Sequence, residues 1–252
     1  EHLLTYFYHP GPCFPKDSVP DEATRFFETI TRQLQSDPSA ERFFMLHLAA
    51  CFLLYRQTMT PWTRKWVVQH VSPERLLPGW AQMVRGYWQS VPILLTRRKK
   101  TTLRHIIIGA VSFQTRTPEI LWPEWADGMM DDAAKNGFRS AIAAAKTVHK
   151  RPEGRTLFMF PLVPPDPRTL ITGGSLALPA ALGFLAVLSR RPFPKGLAAT
   201  GGILPGGKVA KIGGFENKVK MAQTGQAPFS GLIYPLSNGY RASENPPVLL
   251  PV

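Results

Sequence analysis

The amino-acid sequence predicts an α+β fold, with helices and small mixed sheets over 103–252 and an all-helical region over 1–97 ahead of them. Three observations lead there. Apolar residues up to position 90 recur at helical spacing. After the basic run Arg97, Arg98, Lys99, Lys100 the texture changes to short β-branched or aromatic runs alternating with helical stretches. The turns between these later segments are glycine-rich and short, which favours mixed small sheets over one long parallel sheet.

A proline-rich opening ends in SVPDEATRFF, where Asp21 or Ser18 can cap a helix over 21–36 whose positions Phe26, Phe27, Ile30 and Leu34 keep helical spacing. A second helix is expected over 39–58, starting at Ser39 after Pro38. Shorter helices over 61–71 and 73–90 carry Trp62, Trp66, Trp80, Tyr87 and Trp88. A boundary falls near 95–102. RHIIIGAVSFQT (104–115) reads as a strand. The alanine-rich segment 125–150 reads as one helix with Met129, Ala133, Phe138, Ile142 and Ala145 on its apolar face, and RTLFMFPLV (155–163) as a strand. An apolar helix over 174–190 follows, then glycine turns over 195–214, a helix over 215–224 stopped by Gly225, and strands over 229–235 and 248–252.

Lys and Arg number 30 against 17 Asp and Glu, a net charge of +13. Such a balance attracts nucleic acid, anionic lipid or an acidic protein, and equally fits a generally basic surface with no dedicated partner. The run 97–100 is the one tight cluster. Cys13 and Cys51 make neither a disulfide framework nor a zinc site, so the chain is expected to be intracellular, in the cytoplasm, with no metal. His47 and His70 have no second ligand at metal spacing and read as structural residues. The apolar stretch 43–55 is too short to span a membrane, and 174–189 is interrupted by Pro179 and Gly183. The charged, apolar and cleavage-site pattern of a signal peptide is missing from the start of the sequence. It does not begin with methionine and is expected to be an excerpt of something longer.

No GxxxxGK[ST] phosphate loop occurs, so no nucleotide cofactor is expected within the chain, and no GxSxG elbow occurs either. After His149 there is no histidine, so a serine nucleophile in the C-terminal half needs another base. Lysine can serve if burial keeps it neutral. Taking Phe215 as zero and advancing about 100° per residue, Val219 falls at about 40°, Ala222 at about −20° and Lys218 at about −60°, whereas Lys220 falls at about 140°. Lys218 therefore borders the face turned to the core, and Lys220 faces water. The plain alternative is a lysine that covers the core with its stem. Ser175 follows Gly173 and Gly174 and precedes an apolar helix. It can be an ordinary N-cap, or a nucleophile with the Gly173 and Gly174 amides steadying an oxyanion.

The order GGS, apolar helix, AATGGILPGGKVAKIGGFENK and strand GLIYP resembles the proteolytic domain of the Lon proteases, in which a serine and a lysine form a catalytic dyad. The match runs through Thr200, Gly201, Ile203, Gly207, Val209, Ile212, Gly213, Gly214 and Lys218 and covers about 103–252. The resemblance implies that Ser175 is the nucleophile, Lys218 its general base and Thr200 the hydroxyl that holds the lysine. It also implies a protein or peptide substrate and a homo-oligomer, commonly a hexamer. The chain departs from the family pattern at four places. Gly174 replaces the proline before the serine, Leu176 and Ala177 replace the Ala-Gly after it, Thr172 replaces an acidic residue, and Gly202 replaces the glutamate of the TGE motif.

Two functions from different classes follow. One is a serine endopeptidase with a Ser175–Lys218 dyad, independent of ATP and narrow in substrate range, whose 1–97 region recognises a substrate or sensor partner. The other is a catalytically silent scaffold of the same fold that oligomerises and contacts nucleic acid through its basic surface.

Overall fold

The structure is a computed structural model that describes residues 38–57, 79–97, 100–112, 120–149, 155–162, 170–224, 229–239 and 248–251, with isolated positions 32, 61, 64, 65, 68, 73, 76 and 77. Apart from position 32, the helix expected over 21–36 lies outside the described residues, as do most of that over 61–71 and Cys13, His70, Trp62 and Trp66. The chain divides into two compact units, 1–84 with 162–168, and 85–161 with 169–252.

In the first unit, α1 (Pro38–Tyr55) follows the helix expected over 39–58. From Leu46 to Leu53 every residue is buried, including His47 and Cys51, which fits a helix stretch covered on all sides. Helix α2 (Trp80–Met83) is a single turn, and the Trp80 ring lies 5.8 Å from that of Phe52.

The expected helix over 73–90 is corrected here. Tyr87 and Trp88 open a strand, β1 (Tyr87–Arg97), which pairs antiparallel with β2 (Lys100–Ser112) from Tyr87↔Ala110 to Arg97↔Lys100. The region 1–97 is thus not all-helical, and the second unit begins at Arg85. Arg97 and Lys100, the outer residues of the basic run, pair with each other at the end of β1 and β2, within the second unit. β1 is the edge of a four-stranded sheet ordered β1-β2-β4-β3, where β3 is Ile120–Leu121 and β4 is Arg155–Leu162. The edge position accommodates Pro92, which has no N–H to give a further strand.

The single helix expected over 125–150 is two. Helix α3 (Glu124–Asp127) ends in the loop 128–131, and α4 (Asp132–Val148) restarts with Asp131 as N-cap. Ala134, Gly137, Phe138, Ala141, Ile142 and Ala145 form its buried face, while Ala133, expected on that face, is exposed. After β4, a 3-10 turn (Gly174–Leu176) leads into α5 (Ala177–Ser189), which packs against α4 on one side and the β1–β2 hairpin on the other.

The glycine turns of 195–214 carry three short strands, β5 (Leu197–Ala199), β6 (Gly202–Ile203) and β7 (Val209–Ala210). β6 and β7 pair as an antiparallel ribbon. Helix α6 (Phe215–Thr224) has the expected bounds. β8 (Gly231–Tyr234) lies between β5 and β9 (Val248–Pro251), parallel to both. The result is a mixed α/β fold with small sheets. Leu94 of β1, Ala198, Ile212, Leu232 and Tyr234 join Phe215, Val219 and Ala222 of α6 in one apolar cluster, with the Phe215 and Tyr234 rings stacked at 4.9 Å. That cluster seats the helix bearing Lys218.

Candidate active site

Helix α6 turns Phe215, Lys218, Val219 and Ala222 inward, while Lys220 is exposed. Lys218 is only 3% exposed. Its position along the chain is set by the loop before it. Asn238 accepts from the Ile212 N–H at 3.2 Å and donates from Nδ2 to the Ile212 carbonyl at 2.9 Å, so one side chain grips both polar groups of that residue. The Lys218 N–H then donates to the Gly214 carbonyl.

The Lys218 amine meets two hydroxyls, Ser175 Oγ at 3.0 Å and Thr200 Oγ1 at 3.0 Å. Ser175 lies 43 residues earlier in the chain. Thr200 is 1% exposed and stands just after β5, where its N–H donates to Ile233 of β8. Among the described residues no carboxylate pairs with Lys218. Burial alone pushes its ammonium down from 10.5 to about 8. A charged Lys218 donates to Ser175 Oγ. A neutral one has a free lone pair, and the Ser175 hydroxyl can donate to it instead.

Ser175 is the middle residue of the 3-10 turn and does not serve as an N-cap, since its hydroxyl is engaged by Lys218. Its carbonyl accepts from the Gly201 N–H, and the Gly201 carbonyl accepts from the Leu178 N–H, so the turn is laced to the segment that carries Thr200. On the other side α4 approaches closely. A Cβ at Gly137 would sit 3.3 Å from the Gly174 Cα, so only glycine lets the helix lie this near the turn without a shift.

Gly173 precedes the turn with φ 79 and ψ 158, a conformation open to glycine and hardly to other residues. Its N–H donates to the Asp131 carboxylate. Of the two amides expected to steady an oxyanion, Gly173 and Gly174, that of Gly173 is thus bonded within the protein. The amides of Gly174 and Ser175 begin the turn and have no acceptor within it. At Gly202, a Cβ would meet the Ala210 Cβ at 3.2 Å, so the ribbon β6–β7 is closed tightly where the family pattern carries a glutamate.

Sequence reasoning missed Asp131 and Asn238. Asp131 had a signal, an aspartate ahead of an alanine-rich helical run, which was hidden by reading 125–150 as continuous. Asn238 had none, because its partner Ile212 is distant in the chain. Among the described residues no group of three or more His, Cys, Asp or Glu is placed to hold a metal ion, and no helix is long and apolar enough to cross a membrane. No protein-family model matches the chain, and no curated protein matches it significantly.

Proposed function

We propose that the chain is a Lon-like serine peptidase of the Ser-Lys type, cleaving peptide bonds without ATP, with Ser175 as nucleophile and Lys218 as general base. The observation that carries this is the buried Lys218 amine, paired with no carboxylate among the described residues and bonded to the hydroxyls of Ser175 and Thr200. A scaffold of the same fold has no use for such a lysine, because burying a cation without a counter-charge costs stability.

Neutral Lys218 takes the Ser175 proton as Oγ bonds to the substrate carbonyl carbon. The carbonyl oxygen becomes an oxyanion, for which the Gly174 and Ser175 amides are the available donors. The Lys218 ammonium then protonates the leaving amine, the C–N bond breaks, and an ester to Ser175 remains. Water then gives a proton to Lys218 as its oxygen bonds to the ester carbon, the C–Oγ bond breaks to release the carboxylic acid product, and the Lys218 ammonium returns the proton to Ser175 Oγ. Thr200 Oγ1 keeps Nζ aimed at Ser175 throughout.

The peptide class rests on the resemblance and the Ser-Lys chemistry on the geometry. A fluorophosphonate probe tests the chemistry: wild type is labelled at Ser175, and Ser175→Ala and Lys218→Met are not. Cleavage of a mixed peptide library, read by mass spectrometry, tests the class. A wild-type protein that is neither labelled nor cleaves any peptide would overturn the proposal.

A further inference from the structure

The Asp131 carboxylate is shared between two segments. Oδ1 caps α4 by accepting from the Ala134 N–H at 2.7 Å. The same carboxylate accepts from the Gly173 N–H, at 3.2 Å to Oδ1 and 3.1 Å to Oδ2, across 42 residues of chain. A cap needs only the first of these bonds. The second ends on the residue that leads into the turn bearing Ser175.

We infer that Asp131 is a positioning residue for the nucleophile, anchored at the head of α4 and holding Gly173 so that the turn 174–176 aims Ser175 Oγ at Lys218. The inference rests on the reading of Ser175 as the reacting group. Glycine has the widest backbone freedom of any residue, so a glycine at φ 79 keeps one conformation only when its neighbours fix it. The surrounding bonds leave that task to Asp131. Upstream, the Asp131 N–H donates to the Ile171 carbonyl at 3.1 Å and the Ile171 N–H to Met129 at 2.7 Å, which fixes residue 171. Downstream, the Gly201 N–H holds the Ser175 carbonyl at 2.9 Å. Between them, Thr172 is exposed, and the described bond at Gly173 is the one its N–H donates to the Asp131 carboxylate. A charged acceptor makes this a stronger tether than a neutral one.

Asp131→Asn separates the two roles. Asparagine caps a helix about as well as aspartate. It has only one acceptor oxygen; with that oxygen kept on Ala134, only the longer 3.2 Å contact to the Gly173 N–H is left to it, and the NH2 group that replaces Oδ2 opposes the Gly173 N–H, donor against donor, which weakens the tether. The expected melting temperature stays within about 3 °C of wild type. Amide hydrogen exchange over 171–176 quickens about tenfold or more while exchange over 132–148 is unchanged. The kcat for peptide cleavage and the rate of fluorophosphonate labelling at Ser175 both fall by about tenfold to a hundredfold, with KM within about twofold. Asp131→Ser, which caps through its hydroxyl and is too short to reach Gly173, gives the same separation where the asparagine variant does not fold.

Unchanged exchange over 171–176 overturns the inference whatever the activity, and quickened exchange with wild-type kcat and labelling overturns it too. A wild type that neither labels nor cleaves overturns the hydrolase reading instead. In that case the positioning of a nucleophile falls with it, while the exchange arm still shows whether Asp131 holds the turn.

Discussion

At Lys218 two opposed effects can be weighed. Burial brings its pKa from 10.5 to about 8. At pH 7 about a tenth of the molecules then carry the neutral amine, against about one in three thousand for an ordinary lysine. The gain in active base is about 300-fold. As the proton leaves with rising pH, kcat/KM is expected to climb about tenfold per unit below pH 8 and to level off above it, in an initial-rate pH series on a peptide substrate. A profile flat from pH 6 to 9 would remove Lys218 as the base. Thr200→Val keeps the volume and deletes the hydroxyl. Losing an acceptor disfavours the ammonium further, so the midpoint of that profile is expected to move to lower pH while the plateau falls about tenfold or more, because Nζ is no longer aimed. The inward placement of Lys218 was legible because 100° per residue converts spacing on one helix directly into a face. The fate of the Gly173 amide was not, since it is decided by a carboxylate on another helix.

Elements were legible where local pattern and tertiary surroundings agree. Helix α6 has one buried face and one wet face, and its bounds follow from its periodicity. β1 misled for a physical reason. Its residues Val91 and Ile93 are buried on one face and Leu94 on the other, because the α6 cluster covers one side while α5 packs on the hairpin. A strand covered on both faces loses its alternation and reads like a buried helix. The sequence around the strand ends Arg97 and Lys100 also lacks the glycine or asparagine that usually signals a hairpin. The close approach of α4 to the nucleophile turn gives a prediction at this scale. Gly137→Ala gains helix propensity of about 1 kcal/mol, which offsets the crowding at Gly174. Thermal unfolding is therefore expected to stay within about 3 °C of wild type, while fluorophosphonate labelling of Ser175 slows several-fold. Asn238→Ala acts on the other partner. It leaves the Ile212 N–H and carbonyl without their shared partner and is expected to cost about 1–3 kcal/mol in a urea titration, with a matching loss of activity.

For the molecule as a whole, the buried lysine couples stability to pH. The folded pKa of about 8 lies below the unfolded value of 10.5, so between these values the unfolded chain holds the proton that the folded chain has released. Stability from this group is full above pH 10.5 and is lost as pH falls through 8, a swing of about 3 kcal/mol. Urea unfolding is expected to show wild type gaining stability relative to Lys218→Met between pH 8 and 10. A constant difference between the two across that range would mean that the lysine titrates normally. The mixed α/β character was readable from the sequence, whereas the division of the chain was not. The second unit begins at Arg85, inside the segment 73–90 that reads as one helix.

Asn238 and β8 lie beyond the three side chains they hold in place. Thr200 is tied to Ile233, and the loop before Lys218 is gripped by Asn238. A ribosome that has released the chain only as far as residue 224 has therefore already delivered Ser175, Thr200 and Lys218, but not the framework that brings them together. On the reading proposed above, the Ser175–Lys218 pair is assembled only after the later segment has emerged and folded back, so the growing polypeptide stays inert toward its neighbours, and toward itself, until then.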